Sequence, residues 1–74
     1  MIYLYAGNYQ QAQDWAKRQD IARTDWKYLA TGDRLEGTER PVVVKIGTYF
    51  QHPDTLTIDG MITCRRAVVI RCAY

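Results

Sequence analysis

The stretch "YLYAGNYQQAQDWA", residues 3–16, decides the fold, because an apolar run ends in it at a glycine and a helical pattern follows at once. Residues 2–6 are apolar and rich in β-forming residues, which predicts a buried strand. Asn8 is a good helix N-cap, and Gln11 stands where a capping box has its second member. The spacing of the residues that follow predicts a helix over residues 9–19. This stretch is therefore expected to be a strand that turns tightly into a helix.

Three further segments have the character of strands. Residues 25–31, "DWKYLAT", alternate between two faces and predict an edge strand. Residues 42–47, "VVVKIG", are apolar on nearly every side, which is typical of a central strand. Residues 67–72, "AVVIRC", predict a last strand with Arg71 turned to solvent. Between the second and third strands, residues 31–40 contain glycines and charges that predict a loop with at most one helical turn.

Residues 52–66, "HPDTLTIDGMITCRR", allow two interpretations. Pro53 and Asp54 suit a helix start, and the apolar residues after them recur at helical spacing. The several threonines and the Asp59-Gly60 pair favour a hairpin instead. The helix is the preferred interpretation.

Strands that alternate with helical patterns predict parallel pairing with right-handed crossovers. We therefore expect a single α/β domain over residues 1–74, a small Rossmann-like fold with two main helices. The expected sheet has about four parallel strands in the order 2-1-3-4.

Composition narrows the classes of function. The 74 residues carry a net charge of +2 from 10 basic and 8 acidic side chains, scattered in both signs, so nucleic acid is not the expected partner. The spacing of the cysteines Cys64 and Cys72 and of the single histidine fits no metal site, and both thiols are expected to be reduced. No cofactor, signal peptide or membrane contact is expected, and the expected location is the cytoplasm.

The segments "YAGNY", "DWKYLA", "DRLEG", "VVVKIGTY" and "HPD" resemble a group of small actinobacteriophage proteins of hypothetical function. The resemblance covers roughly residues 1–60, and its Gly-Asn-Tyr and Gly-Thr-Tyr junctions are its most recognisable parts. It implies a Rossmann-like shape and a phage accessory protein that acts in the cytoplasm of a bacterial host. It implies no activity.

In open parallel sheets, ligands bind beyond the carboxyl ends of the strands where the strand order reverses. With the order 2-1-3-4, this crevice lies between the ends of strands one and three. Backbone N–H groups at a helix start suit a phosphate or carboxylate, and tyrosine rings suit a base. The candidate ligand-binding residues are Gly7, Asn8, Tyr9, Gln10, Thr31, Asp33, Arg34, Gly47, Thr48 and Tyr49.

Each of these residues also has a purely structural interpretation, which the sequence favours. One glycine after a strand falls short of both phosphate-binding motifs. Asn8 suits a plain helix cap, Tyr9 and Trp15 suit a core, and Arg34 suits a solvated turn. No nucleophile or carboxylate stands at a spacing from His52 that suggests a triad or a metal site. No catalytic residue is therefore assigned.

The leading functional hypothesis is a non-enzymatic module that binds a host protein through aromatic contacts. The alternative is a small nucleotide-binding or anion-binding protein that uses the loops after strands one and three. A third, weaker hypothesis is nucleic-acid binding through the pairs Lys17-Arg18 and Arg65-Arg66. The apolar strand 67–72 also suggests a homodimer formed along its edge.

Overall fold

The structure, a computed structural model, describes residues 2–72 and shows a four-stranded parallel sheet with a helix on each face. The strands lie in the order β2-β1-β3-β4, as the sequence predicts. The α/β class is thereby confirmed. Within residues 2–72, no helix is long and apolar enough to cross a membrane. The elements are β1 (Ile2–Ala6), α1 (Tyr9–Arg18), β2 (Trp26–Tyr28), β3 (Val42–Ile46), α2 (Thr55–Cys64) and β4 (Val68–Cys72).

Two small apolar cores lie on opposite faces of the sheet, because successive strand residues point to opposite sides. Helix α1 covers one face through Ala12 and Ala16, which are almost fully buried. Helix α2 covers the other face, and Ile58 is its fully buried residue. The first core contains Leu4, Ala6, Ala12, Ala16, Trp26, Val44 and Ile46, and the second contains Tyr5, Leu29, Leu35, Val43 and Ile58.

The turn from β1 into α1 is held by local hydrogen bonds. The Asn8 side chain accepts a hydrogen bond from the Gln11 backbone N–H at 2.9 Å, as an N-cap does. The Gln11 side chain accepts one from the Gly7 N–H at 3.0 Å, one residue further back than in the standard capping box. The predicted helix start is confirmed, and α1 ends at Arg18, one residue earlier than predicted.

Strand β2 is shorter than the predicted strand 25–31, which is the clearest correction to the expected elements. It spans only Trp26–Tyr28, and a 3₁₀ turn, Arg23–Asp25, precedes it. At its far end the Ala30 N–H turns back to the Tyr28 carbonyl at 3.1 Å, while the His52 side chain hydrogen-bonds the Leu29 carbonyl. A strand cannot continue where its backbone groups bond to a turn and a side chain.

Residues 52–66 contain a helix, so the preferred interpretation of this segment is confirmed. Helix α2 spans Thr55–Cys64 with Asp54 as its N-cap. Ile58 is fully buried, and Met61 and Ile62 pack on the same core. Tertiary burial of this apolar stripe therefore overrides the weak helix propensity of the threonines and the glycine.

The three remaining predicted segments agree closely with the structure. The predicted loop 31–40 contains one 3₁₀ turn, Gly32–Leu35. Strand β3 is central, with Val43, Val44 and Ile46 almost completely buried. Strand β4 is an edge strand, and its Arg71 is exposed as predicted.

Candidate functional site

The loops after β1 and β3 meet at the carboxyl end of the sheet, because the two strands are parallel neighbours. The Gln11 side-chain amide donates to the Thr48 hydroxyl at 2.8 Å and joins the two loops. A Cβ atom on Gly7 would press on the Thr48 hydroxyl and lie 2.8 Å from the Thr48 carbonyl oxygen. The mouth of the predicted crevice is thus occupied by the side chains of Gln11 and Thr48.

The other predicted site residues lie in different places. Gln10 donates to the Asp14 carboxylate at 2.9 Å on the exposed side of α1. Thr31 is the N-cap of the 3₁₀ turn that holds the exposed Asp33. The predicted residues therefore divide between the closed mouth and its two flanks, and their role in ligand binding stays a prediction.

His52 is a structural residue at the edge of this region. It is 3% exposed, and its Nε2 lies 2.6 Å from the Leu29 carbonyl oxygen. Its Nδ1 accepts a hydrogen bond from the Asp54 N–H at 2.9 Å. Because Nδ1 accepts, Nε2 must be the protonated nitrogen that donates, and the ring is neutral. Both nitrogens are occupied, which leaves neither for proton transfer or metal binding.

A chain of tyrosines runs along the α2 face above β1 and β3. The hydroxyl of the buried Tyr5 contacts the Thr55 hydroxyl and donates to the Asp59 carboxylate at 3.1 Å. Burial raises the pKa of Tyr5 above its ordinary value of 10.0, and the nearby Asp59 carboxylate adds to this effect. The ring of Tyr49 meets that of Tyr5 edge-on, with 5.2 Å between centroids.

Tyr49 is electrostatically unlike Tyr5. Arg71 donates to its hydroxyl at 2.7 Å, and the Lys45 ammonium lies 4.9 Å from its ring centroid. The hydrogen bond from Arg71 lowers the pKa of Tyr49, and the charges of Arg71 and Lys45 act in the same direction. Tyr49 therefore attaches the β3 loop to β4 through its hydroxyl, and the negative face of its ring attracts the Lys45 ammonium.

A cleft of about 360 Å³ lies beyond the end of β2 and is called the aromatic cleft below. The rings of Tyr9 and Tyr28 meet edge-on in it at 5.6 Å. Tyr9 is 41% exposed, which corrects the expectation that it is a core residue. The lining consists of Tyr9, Arg23, Lys27, Tyr28, Ala30 and Arg34.

Two of the predicted site residues, Tyr9 and Arg34, line this cleft, whereas Arg23, Lys27 and Tyr28 are absent from the predicted set. Their only local signal is the interleaving of basic and aromatic residues in "RTDWKY", residues 23–28. That signal is weak, because the alternation of a strand places Lys27 and Tyr28 on opposite faces. Only the end of an edge strand lets both side chains reach one cleft.

A second cleft, of about 490 Å³, lies at the amino ends of β3 and β4 and is called the arginine cleft below. Its walls include no aromatic ring. Arg40 and Arg66 have left-handed backbone conformations there, with φ of 47° and 53°. Cys64 is a free, exposed thiol. The lining consists of Thr38, Glu39, Arg40, Cys64, Arg65 and Arg66.

The free edge of β4 is the most exposed apolar part of the sheet. Val68, Val69 and Ile70 are 50%, 38% and 46% exposed. Val69 points to the α2 face, and Val68 and Ile70 point to the α1 face, since strand residues alternate. Helix α1 packs over β1, β2 and β3, and about half of the surface of Val68 and of Ile70 stays exposed.

Comparison with known proteins adds no relative. No family model matches the chain, and no curated protein or solved structure matches it either. Within the described residues, no group of three or more metal-ligating side chains comes together. The clefts and the sheet edges are therefore the features of the chain that bear on its function.

Proposed function

We propose that this chain is a non-enzymatic interaction module that binds a second polypeptide along the free edge of β4. The observation that supports this proposal is the exposure of Val68, Val69 and Ile70, which are consecutive and lie 38% to 50% in solvent. Successive exposed apolar residues along an unpaired edge strand mark a place where another strand pairs. A strand added there gains main-chain hydrogen bonds and covers these side chains.

The two edges of the sheet differ in a way that favours β4. Strand β2 has three residues, and the exposed Lys27 is at its centre. The Arg23 guanidinium donates to the Trp26 carbonyl at 3.1 Å, and the Ala30 N–H donates to the Tyr28 carbonyl at 3.1 Å. Short length, a lysine and occupied carbonyls are the means by which proteins protect an edge. The β2 edge is thus closed to pairing.

The β4 edge lacks this protection over its described length. It has five residues. The Val68 N–H donates inward to Pro41 at 2.8 Å, so the alternation of a parallel ladder turns the backbone groups of Val69 and Arg71 outward. Among the described residues, no hydrogen bond occupies these outward groups. They are free to pair with an incoming strand.

Under this proposal the partner is a host protein that offers an unpaired strand, and the site of action is the cytoplasm of a bacterial host. The support for a host is the resemblance of residues 1–60 to phage proteins. An interaction module also suits the chemistry of the described residues, because His52 has both ring nitrogens occupied.

A second copy of this chain is a further candidate partner, and the pattern of outward groups favours it. If two β4 strands pair antiparallel about Ile70, the outward groups of Val69 meet those of Arg71 from the other copy. Each arginine then lies opposite a valine, and no like charges are directly opposed. The edge is therefore compatible with its own copy.

The proposal is tested by placing a lysine on the β4 edge. Val69→Lys puts a charge on the strand that pairing would cover, and Leu56→Lys is the matched control, because Leu56 is 86% exposed on α2. Self-association is measured by light scattering over a range of concentrations, and host partners are captured from lysate with a tagged chain. We expect Val69→Lys to abolish the association and Leu56→Lys to leave it unchanged. An association that survives Val69→Lys, or the lack of any association, refutes the proposal.

A further inference from the structure

We infer that the aromatic cleft binds a small planar anion, an aromatic ring that carries a phosphate, of about the size of a nucleoside monophosphate. This inference goes beyond the proposed function, since the cleft is at the β2 side of the sheet and the proposed docking edge is at β4. It rests on the charge, the rings and the volume of the cleft.

The positive charge of the residues that line the aromatic cleft indicates that its ligand is an anion. Arg23, Lys27 and Arg34 line one cleft, and no carboxylate is among its lining residues. Three cations that share a small volume repel one another, and a bound anion relieves that repulsion. Arginine forks suit phosphate oxygens, because they donate two parallel hydrogen bonds.

One of these cations is already held in place. The Arg23 guanidinium lies 4.4 Å from the Trp26 ring centroid and donates to the Trp26 carbonyl at 3.1 Å. A fixed donor loses little entropy when a ligand binds. Lys27 and Arg34 are exposed and can adjust to the anion from the strand and from the 3₁₀ turn.

The rings indicate a planar aromatic group. Tyr9 is held by contacts with Trp26 and Tyr28, at 6.0 Å and 5.6 Å between centroids, yet 41% of its surface stays exposed. A positioned and open ring is a surface on which a base stacks, whatever the base. The hydroxyl of Tyr28 is protonated at neutral pH, as any phenol of ordinary pKa is, and can donate a hydrogen bond.

Volume and position agree with this ligand class. The cleft has about 360 Å³, near the lower end of the roughly 300–1,000 Å³ of small-molecule sites, which suits a mononucleotide and not a dinucleotide. It lies beyond the carboxyl end of β2, on the side of a parallel sheet where ligands bind. The arginine cleft is larger and also basic, but it has no ring in its lining.

The experiment is a titration of the full chain with guanosine monophosphate, guanosine and inorganic phosphate, followed by backbone amide shifts. We expect saturable shifts at Tyr9, Tyr28, Ala30 and Arg34 with the monophosphate. Guanosine and phosphate alone should each bind at least about tenfold more weakly, because each lacks the stacking or the charged half of the interaction. A short single-stranded oligonucleotide that binds much more tightly than the monophosphate would overturn the inference in favour of a polymer.

Variants distinguish binding in the aromatic cleft from binding by positive charge elsewhere on the chain. Tyr9→Leu and Arg34→Gln should each weaken binding about tenfold, while Tyr9→Phe keeps the ring and should bind within about twofold of wild type. Arg66→Gln is the matched control, because it removes the same charge from the arginine cleft. An equal loss in Arg66→Gln, or shifts confined to Arg40 and Arg65, would place the anion elsewhere and refute the inference. Absence of any saturable shift at millimolar monophosphate refutes it as well.

Discussion

The imidazole of His52 and the backbone carbonyl of Leu29 lie 2.6 Å apart, across 23 residues of sequence, and this hydrogen bond joins the start of α2 to the end of β2. The other ring nitrogen accepts from the Asp54 N–H at 2.9 Å. Asp54 in turn accepts from the Gly32 N–H at 2.7 Å through its carboxylate. The buried His52 side chain thus makes two of these three connections at the carboxyl end of the sheet, and the Asp54 carboxylate makes the third.

Replacement of His52 is expected to destabilise the fold strongly. His52→Ala leaves the Leu29 carbonyl and the Asp54 N–H without their partner and opens a cavity, for a loss of about 2–4 kcal/mol. That is most of the roughly 3–5 kcal/mol that a chain of this size is expected to have. Urea unfolding followed by circular dichroism measures the loss. Ala22→Gly, an exposed small-residue change, is the control, and a loss below about 1 kcal/mol for His52→Ala would contradict this role.

The His52 contact also shows why the predicted strand 25–31 is too long. Alternation along "DWKYLAT" is a local pattern, and it correctly places Trp26 and Leu29 on opposite faces. Besides the turn from the Ala30 N–H to the Tyr28 carbonyl, a side chain 23 residues away bonds the Leu29 carbonyl, and no local pattern contains that contact. By contrast, the Asn8 cap and the start of α1 could be predicted, because all the groups involved lie within a few residues.

Some features of the candidate site could also be predicted from the sequence, and others could not. The meeting of the Gly7 and Thr48 loops follows from strand order, so it could be predicted. Whether the space between them is open depends on the reach of the Gln11 side chain to Thr48, which is a tertiary contact. Of the aromatic cleft only Tyr9 and Arg34 were predicted, because Lys27 and Tyr28 share it only where an edge strand ends.

Removal of the glycine inside α2 is expected to stabilise the protein. A Cβ on Gly60 meets no atom within 4 Å, so Gly60→Ala gains helix propensity without a clash, for about 0.5–1 kcal/mol. Thermal unfolding should rise by several degrees, since about 4–8 °C accompany each kcal/mol in a domain of this size. Gly32→Ala is the contrasting variant: its Cβ would press on the Thr57 methyl and lie 3.0 Å from the Thr57 carbonyl carbon, so it should destabilise. Equal effects of the two variants would contradict the packing.

The end of α1 offers a second stabilising change. The Ile21 N–H bonds to the Ala16 carbonyl at 3.0 Å and the Asp20 N–H to the Lys17 carbonyl at 3.1 Å, which is a Schellman motif with Asp20 at φ 54°. Glycine adopts this conformation without strain, and an acid at a helix C-terminus opposes the helix dipole. Asp20→Gly should therefore stabilise by about 1 kcal/mol in urea unfolding. Asp14→Gly, inside the same helix, should destabilise by about as much, and a loss of stability in Asp20→Gly would refute the assignment.

Tyrosine ionisation is expected to separate Tyr49 from Tyr5 and Tyr28. The hydrogen bond from Arg71 lowers the pKa of Tyr49, whereas burial raises the pKa of Tyr5 and of Tyr28 above 10.0. In a titration of phenolate absorbance, Tyr49 should therefore ionise before the other two. Tyr49→Phe should remove the step that precedes those of Tyr5 and Tyr28, and Arg71→Gln should move it to higher pH.

The raised pKa values of Tyr5 and Tyr28 predict how their contribution to stability changes at alkaline pH. A group whose pKa is raised on folding holds its proton more tightly in the folded state, so its contribution is present below the unfolded pKa of 10.0 and is lost as the pH rises through the folded pKa. Stability should accordingly fall as the pH rises past 10.0, and Tyr5→Phe should weaken that fall by removing one such group. Because Tyr5→Phe also gives up the hydrogen bonds to Thr55 and Asp59, its stability at neutral pH provides the baseline. A fall in Tyr5→Phe as steep as in wild type would contradict the role of the buried phenol.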